Sequence, residues 1–216
     1  SRNAQQIEAS LSPDLGNGFV SISGSYARGD GFWTTPADQR VAASVPAGYE
    51  TWAVSARGVA AVGESSEMQA RIGLFRDDRT LRFAGADSAQ EGQDASLRYV
   101  GRGDWQVEAL GYVQLRNFSN IVVSATSFRP TLNQRNTPST GLGGKLEVRP
   151  PVGEDHLLRI GADSRFASAD MYEEALNATT GAATARREAS GRQVTSGIYV
   201  EDDWSLGRLI LTGGAR

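Results

Sequence analysis

Very few residues in this chain have side chains suited to covalent or metal chemistry. His156 is the only histidine and there is no cysteine. That excludes thiolate metal sites, disulfide scaffolds, cysteine nucleophiles and multi-histidine metal centres. His156 follows the turn-like PPVGED (150–155), has no catalytic-type partner near it in sequence, and reads as structural. Glu201-Asp202-Asp203 is acidic, but it lacks the ligand spacing and turn glycine of a calcium loop, and reads as turn solvation beside Trp204. Arg102-Gly103-Asp104 is accounted for by turn chemistry. What the chain does offer is aromatic and arginine side chains in long polar stretches: Trp33, Tyr49, Phe83, Phe128 and Tyr172, with Arg82 and Arg129 among them. Stacking and charge suit such a set to an aromatic or anionic chelate, so these seven are the ligand-binding candidates. No catalytic residue, metal site or cofactor is expected.

The overall balance excludes further classes. Against 25 Asp+Glu stand 22 Lys+Arg, a net charge of −3 in 216 residues, whereas a nucleic-acid binder needs a concentrated basic face. No apolar run approaches the roughly 18 residues of a membrane-spanning helix, and the opening SRNAQQIEAS is too polar for a signal segment. The 25 glycines and 7 prolines point instead to strands and turns.

The elements that must position these residues show as period-2 alternation. From Trp105, one face of a strand reads Val107, Ala109, Gly111, Val113 and Leu115, and the other Glu108, Leu110, Tyr112, Gln114 and Arg116. Trp52, Val54, Ala56, Ala60 and Val62 oppose Ser55 and Arg57; Met68, Ala70, Ile72 and Leu74 oppose Gln69 and Arg71. Later, Leu142, Leu146 and Val148 oppose Lys145, Glu147 and Arg149; Leu158, Ile160 and Ala162 oppose Arg159, Asp163 and Arg165; Ile198 and Val200 oppose Tyr199 and Glu201. Short Gly/Asp/Pro turns at 15–18, 62–65, 101–104, 150–155 and 205–208 alternate with long polar stretches near 30–50, 78–93, 118–140 and 172–193. The expected fold is all-β, an antiparallel up-and-down meander of about ten long strands in five hairpins.

One face is apolar and built largely of small or aliphatic residues, adequate against lipid but poor for an interdigitated core. The other carries full charges, as a wet barrel interior does. Arg57, Arg71, Arg98, Glu108, Arg116, Arg159, Asp163 and Glu201 are therefore expected to face the lumen. Trp105 and Trp204 sit beside short turns and Trp52 beside a long one, the placing of aromatic girdles at two membrane interfaces. Two alternatives use the same pattern: a secreted or surface soluble β-module with a binding or adhesive role, and a passive porin.

Two stretches carry a resemblance. FVSISGSYARGDGF (19–32) resembles an early barrel strand of TonB-dependent outer-membrane receptors, and SGIYVEDDWSLGRLILTGGAR (196–216) resembles a mid-barrel strand of that family that ends in an acidic-Trp turn. The resemblance implies a 22-stranded transmembrane barrel in the bacterial outer membrane, of which residues 1–216 would form the N-terminal half without a plug. It also implies partners: outer-membrane lipid, a plug domain and TonB in the full-length protein. The solute it implies is a ferric siderophore or similar scarce molecule.

Overall fold

A segment that alternates apolar and polar residues satisfies its backbone only by pairing with neighbours of the same kind. The computed structural model describes residues 3–216; Ser1 and Arg2, which begin the polar opening segment, lie outside the described residues. One antiparallel sheet accounts for nearly everything: β1 (Gln5–Leu11), β2 (Gly18–Gly29), β3 (Tyr49–Gly63), β4 (Ser66–Thr80), β5 (Asp87–Arg102), β6 (Gln106–Val123), β7 (Pro130–Asn136), β8 (Ser139–Arg149), β9 (His156–Leu176), β10 (Ala183–Leu206) and β11 (Leu209–Ala215). Among the described residues, one 3-10 turn, Ala37–Gln39, breaks the pattern.

The strands follow one another in sequence order except at one place. There β7 pairs with the far end of β6 through Asn120–Val122, while β8 pairs with Gln106–Arg116 of the same strand. Both then pair with β9. They are two halves of one descending strand, interrupted at Thr137-Pro138, because proline brings no N–H to the ladder. The gap is stitched from both sides: Thr137 N donates to Asn117 Oδ1 at 3.1 Å and Asp170 N to the Pro138 carbonyl at 2.9 Å. Eleven strands thus occupy ten sheet positions, the meander expected.

The connections differ more from expectation. Those at one end are short: 12–17, 64–65, 103–105, 150–155 and 207–208. At the other end only 30–48 is long, and the rest shrink to 81–86, 124–129 and 177–182. The polar stretches expected as loops at 78–93, 118–140 and 172–193 are mostly strand, β9 reaching 21 residues and β10 24. On β9 and β10 these extensions are mostly polar on both faces, so the two-faced signal fades although the backbone pairing continues. Tyr49 and Tyr172 are corrected with them: each lies in a strand, β3 and β9. The acidic-Trp segment is corrected too, since β10 runs straight through Glu201–Trp204 and the turn is Gly207-Arg208.

There is almost no protein core. Among the described residues only Phe83 and Ala86 are buried apolar residues, whereas Ile72, Leu97 and Ile198 are 60%, 52% and 77% exposed. A two-layer sandwich would cover that face with a second sheet; here one sheet presents it unpartnered. On β3 the apolar set runs from Trp52 to Val62, about 34 Å of strand, or roughly 24 Å of height at a 45° tilt, the hydrocarbon band of an outer-membrane barrel. Above Trp52 the same face turns charged: in register with it stand Arg76 and Glu91, paired at 3.2 Å.

The one long connection is shaped by Gly31, which has φ +73° and a backbone so close to the Ala47 carbonyl that a side chain there has no room. Gly31→Ala is expected to loosen residues 30–48, raising the rate of protease cleavage there about tenfold, as ~1–2 kcal/mol of left-handed strain requires. Unchanged cleavage would show that the loop is not held by this turn.

Candidate functional site

Register decides which side chains share the polar face. One row joins Arg57, Arg71, Ser96, Tyr112 and Arg165. The next joins Gln69, Arg98, Leu110, Lys145 and Asp163, and a third joins Glu67, Glu108, Glu147 and Tyr199. Arg116 and Glu201 fall at the same parity further up and down. All eight residues selected for alternation therefore stand on one face, opposite the Leu, Ile and Val rows.

Most of these charges are locally neutralised. Arg98 meets Glu108 at 2.9 Å and Arg116 meets Asp94 at 2.7 Å. Arg159 bridges Glu201 and Asp203, the latter at 2.7 Å, and Arg216 holds Asp163 at 2.8 Å. Arg57 and Arg71 behave differently. They are directly opposed across β3 and β4, and Arg57 reaches only the Gln69 side-chain oxygen at 3.4 Å and the Phe19 ring at 5.6 Å. Like charges directly opposite destabilise a sheet, and among the described residues neither has a carboxylate partner.

The densest cluster surrounds Glu147, only 5% exposed on an otherwise open face. Lys145 Nζ lies 2.8 Å and Arg149 Nη2 2.7 Å from its carboxylate, and Tyr199 Oη donates to it from two strands away. Tyr199 can cross the intervening β9 because the residue beneath its ring is Gly161. Tyr112 over Gly143 and Phe75 over Gly92 repeat the device on the same face. Sequence alternation places Glu147 on this face, but its partners are visible only once β8, β9 and β10 are in register.

The seven ligand candidates separate. Trp33 remains 43% exposed, with the Arg40 guanidinium 4.1 Å over its ring. Phe83 is buried, edge-on to Phe128 at 5.3 Å, with Arg82 4.9 Å from its ring. These three residues, with Arg129 donating to the Thr179 carbonyl at 3.1 Å, tie the connections 81–86, 124–129 and 177–182 together. Val45 N joins 30–48 to the same group by donating to the Arg82 carbonyl. Of the seven, Tyr49 lines a cleft of about 900 Å³, which it shares with Arg28, Glu50, Asp78, Arg79 and Arg135. Tyr172 pairs with Glu188 on β10.

Of the aromatic girdle candidates, Trp52 and Trp204 are on the apolar face and Trp105 is in the 103–105 turn. His156, read as structural, has partners after all: its Nδ1 is 2.7 Å from Asp202 Oδ2 and its ring stacks on Trp204 at 5.7 Å. Among the described residues, no group of three or more His, Cys, Asp or Glu side chains is arranged to hold a metal ion.

Residues 11–216 match the family model described as TonB dependent receptor-like, beta-barrel. No curated protein sequence matches the chain. Among solved structures it is similar to one titled "Copper transporter OprC", with TM-score 0.76 and 17% identity over 98% of this chain and 35% of that one. It is also similar to the outer membrane transporter YddB from Escherichia coli, with TM-score 0.55 and 12% identity over 98% of this chain and 33% of that one. The chain thus spans about a third of the structures it matches. Identities this low speak for the fold alone.

Proposed function

The chain belongs to the TonB-dependent receptor β-barrel family, and on that premise we propose that it forms part of the wall of an active-transport receptor in the bacterial outer membrane. The polar face lines the lumen, where it meets a plug domain, and TonB supplies the energy in the full-length protein. The solute is a ferric siderophore or a similarly scarce anionic chelate. The observation that carries the solute class is the opposed pair Arg57 and Arg71 in mid-strand, without a carboxylate partner among the described residues: a sheet keeps such a pair at a stability cost, and an anion in the lumen relieves it.

The neighbour titled a copper transporter raises a bare metal ion as solute. Copper favours Cys, Met and His. This chain has no Cys, and its His156 and Met68 stand on the apolar face, leaving Met171 alone at polar-face parity. The wall described here therefore favours a chelate.

Growth on a panel of ferric chelates under iron limitation tests the reading. At least one chelate is expected to be taken up only when TonB is intact. Arg71→Gln should lower that uptake several-fold while leaving the barrel as stable or up to ~0.5 kcal/mol more so, as removing a like-charge pair predicts. Uptake of small solutes that persists without TonB, with steady conductance in a planar bilayer, would make it a passive porin instead.

A further inference from the structure

On the apolar face, from Trp204 and Val62 at one end to Ala56 and Ile72 at the other, register places aliphatic, small and aromatic residues with a single carboxylate among them in the described residues, Asp202. The chain's only histidine lies diagonally across from it, its Nδ1–H donating to Asp202 Oδ2 at 2.7 Å. The second carboxylate oxygen, Oδ1, is covered from solvent and has no hydrogen-bond partner. Opposite Asp202 on β11 is Gly213, above which lies open space. On the bilayer side the pair continues into an apolar groove of about 590 Å³, walled by Leu146, Val148, Ile160, Ala162, Ile198 and Val200.

At the interface a carboxylate on the lipid side costs little, so Asp202 is tolerated there, but its buried unpaired oxygen calls for an explanation. We propose that this is a seat for one phospholipid with a primary-amine headgroup, at the short-turn interface of the membrane. The ammonium donates to Asp202 and lies against the stacked His156–Trp204 rings, the arrangement that recognises cations through charge and π-faces together. An acyl chain fills the groove above. A small rotation of the carboxylate toward the gap at Gly213 brings Oδ1 to the headgroup.

The test uses the protein in nanodiscs containing equal phosphatidylethanolamine and phosphatidylglycerol, with bound lipid counted by native mass spectrometry after mild delipidation. The wild type is expected to retain one phosphatidylethanolamine with about tenfold preference, the equivalent of one charge-assisted hydrogen bond. Asp202→Asn should bring the preference to within about twofold, and Val200→Trp, which fills the groove, should lower retention of lipid altogether. Heat-modifiable migration in a gel verifies that each variant is folded. Equal retention of the two lipids by the wild type, or a preference that survives in folded Asp202→Asn, would overturn the assignment.

Discussion

Replacing Leu97 by arginine is expected to cost about 2–4 kcal/mol when the protein folds into a bilayer, a factor of roughly 30 to 700 in the folding equilibrium. Leu97 is 52% exposed and stands mid-height in the row Gly58, Ala70, Leu97, Gly111 and Gly144, where no acid is in register to receive the guanidinium. The size of the effect depends on what covers the side chain. If water did, a half-exposed leucine could be exchanged within about 0.5 kcal/mol; lipid makes the same exchange expensive. The neighbouring position is the control. Ser96 points to the polar face between Arg71 and Tyr112, so Ser96→Arg should cost only the few tenths of a kcal/mol that one like charge adds. Gln93→Arg, on the apolar face but near the Glu91 edge, should cost about 0–1 kcal/mol. Denaturant titration of folding into vesicles measures all three. A cost below 0.5 kcal/mol for Leu97→Arg would remove lipid from this face.

How far the sequence could carry these assignments is set by where its two-faced pattern is strong. Where the alternation is strong, Val107 to Leu115 against Glu108 to Arg116 alternates as lipid on one side and water on the other would demand, and the register places each set on one face. Asp170–Leu176 and its partner Ala183–Ser190 have no apolar face to betray them, as strands with water on both sides would not, and in sequence they resemble loops. Pairing across strands is invisible for a different reason. Glu201, Asp202 and Asp203 look like one acidic patch, yet alternation sends the first and third to Arg159 and the second to His156 on the other face. Phe83 and Phe128 were legible as loop aromatics, but their mutual contact needs the closeness of two connections that lie 45 residues apart in sequence. Glu147 shows the same limit. Its charge is evident, its burial is not, because Tyr199 arrives from 52 residues away.

That arrival depends on Gly161, and the dependence can be measured. Gly161 lies between Glu147 on β8 and Tyr199 on β10, directly opposite both. A Cβ on residue 161 would fall inside van der Waals contact with the Tyr199 ring. Gly161→Val therefore forces the ring off β9, adding an overpacking cost of about 1–3 kcal/mol. It also breaks the Tyr199 hydrogen bond to a nearly buried carboxylate, about 1.5–3 kcal/mol more. A total near 3–5 kcal/mol is expected. Tyr199→Phe isolates the second part, since it keeps the ring over the glycine and loses only the hydroxyl. Tyr199→Ala in the Gly161→Val background removes the clash, and valine is a better strand residue than glycine. The double variant should then be more stable than the sum of the single changes by about 3–5 kcal/mol, because the clash is gone and the lost Tyr199 hydrogen bond is counted in both single changes. Additivity within 0.5 kcal/mol would mean that the ring does not rest on Gly161 in the membrane, and that Glu147 is held by Lys145 and Arg149 alone.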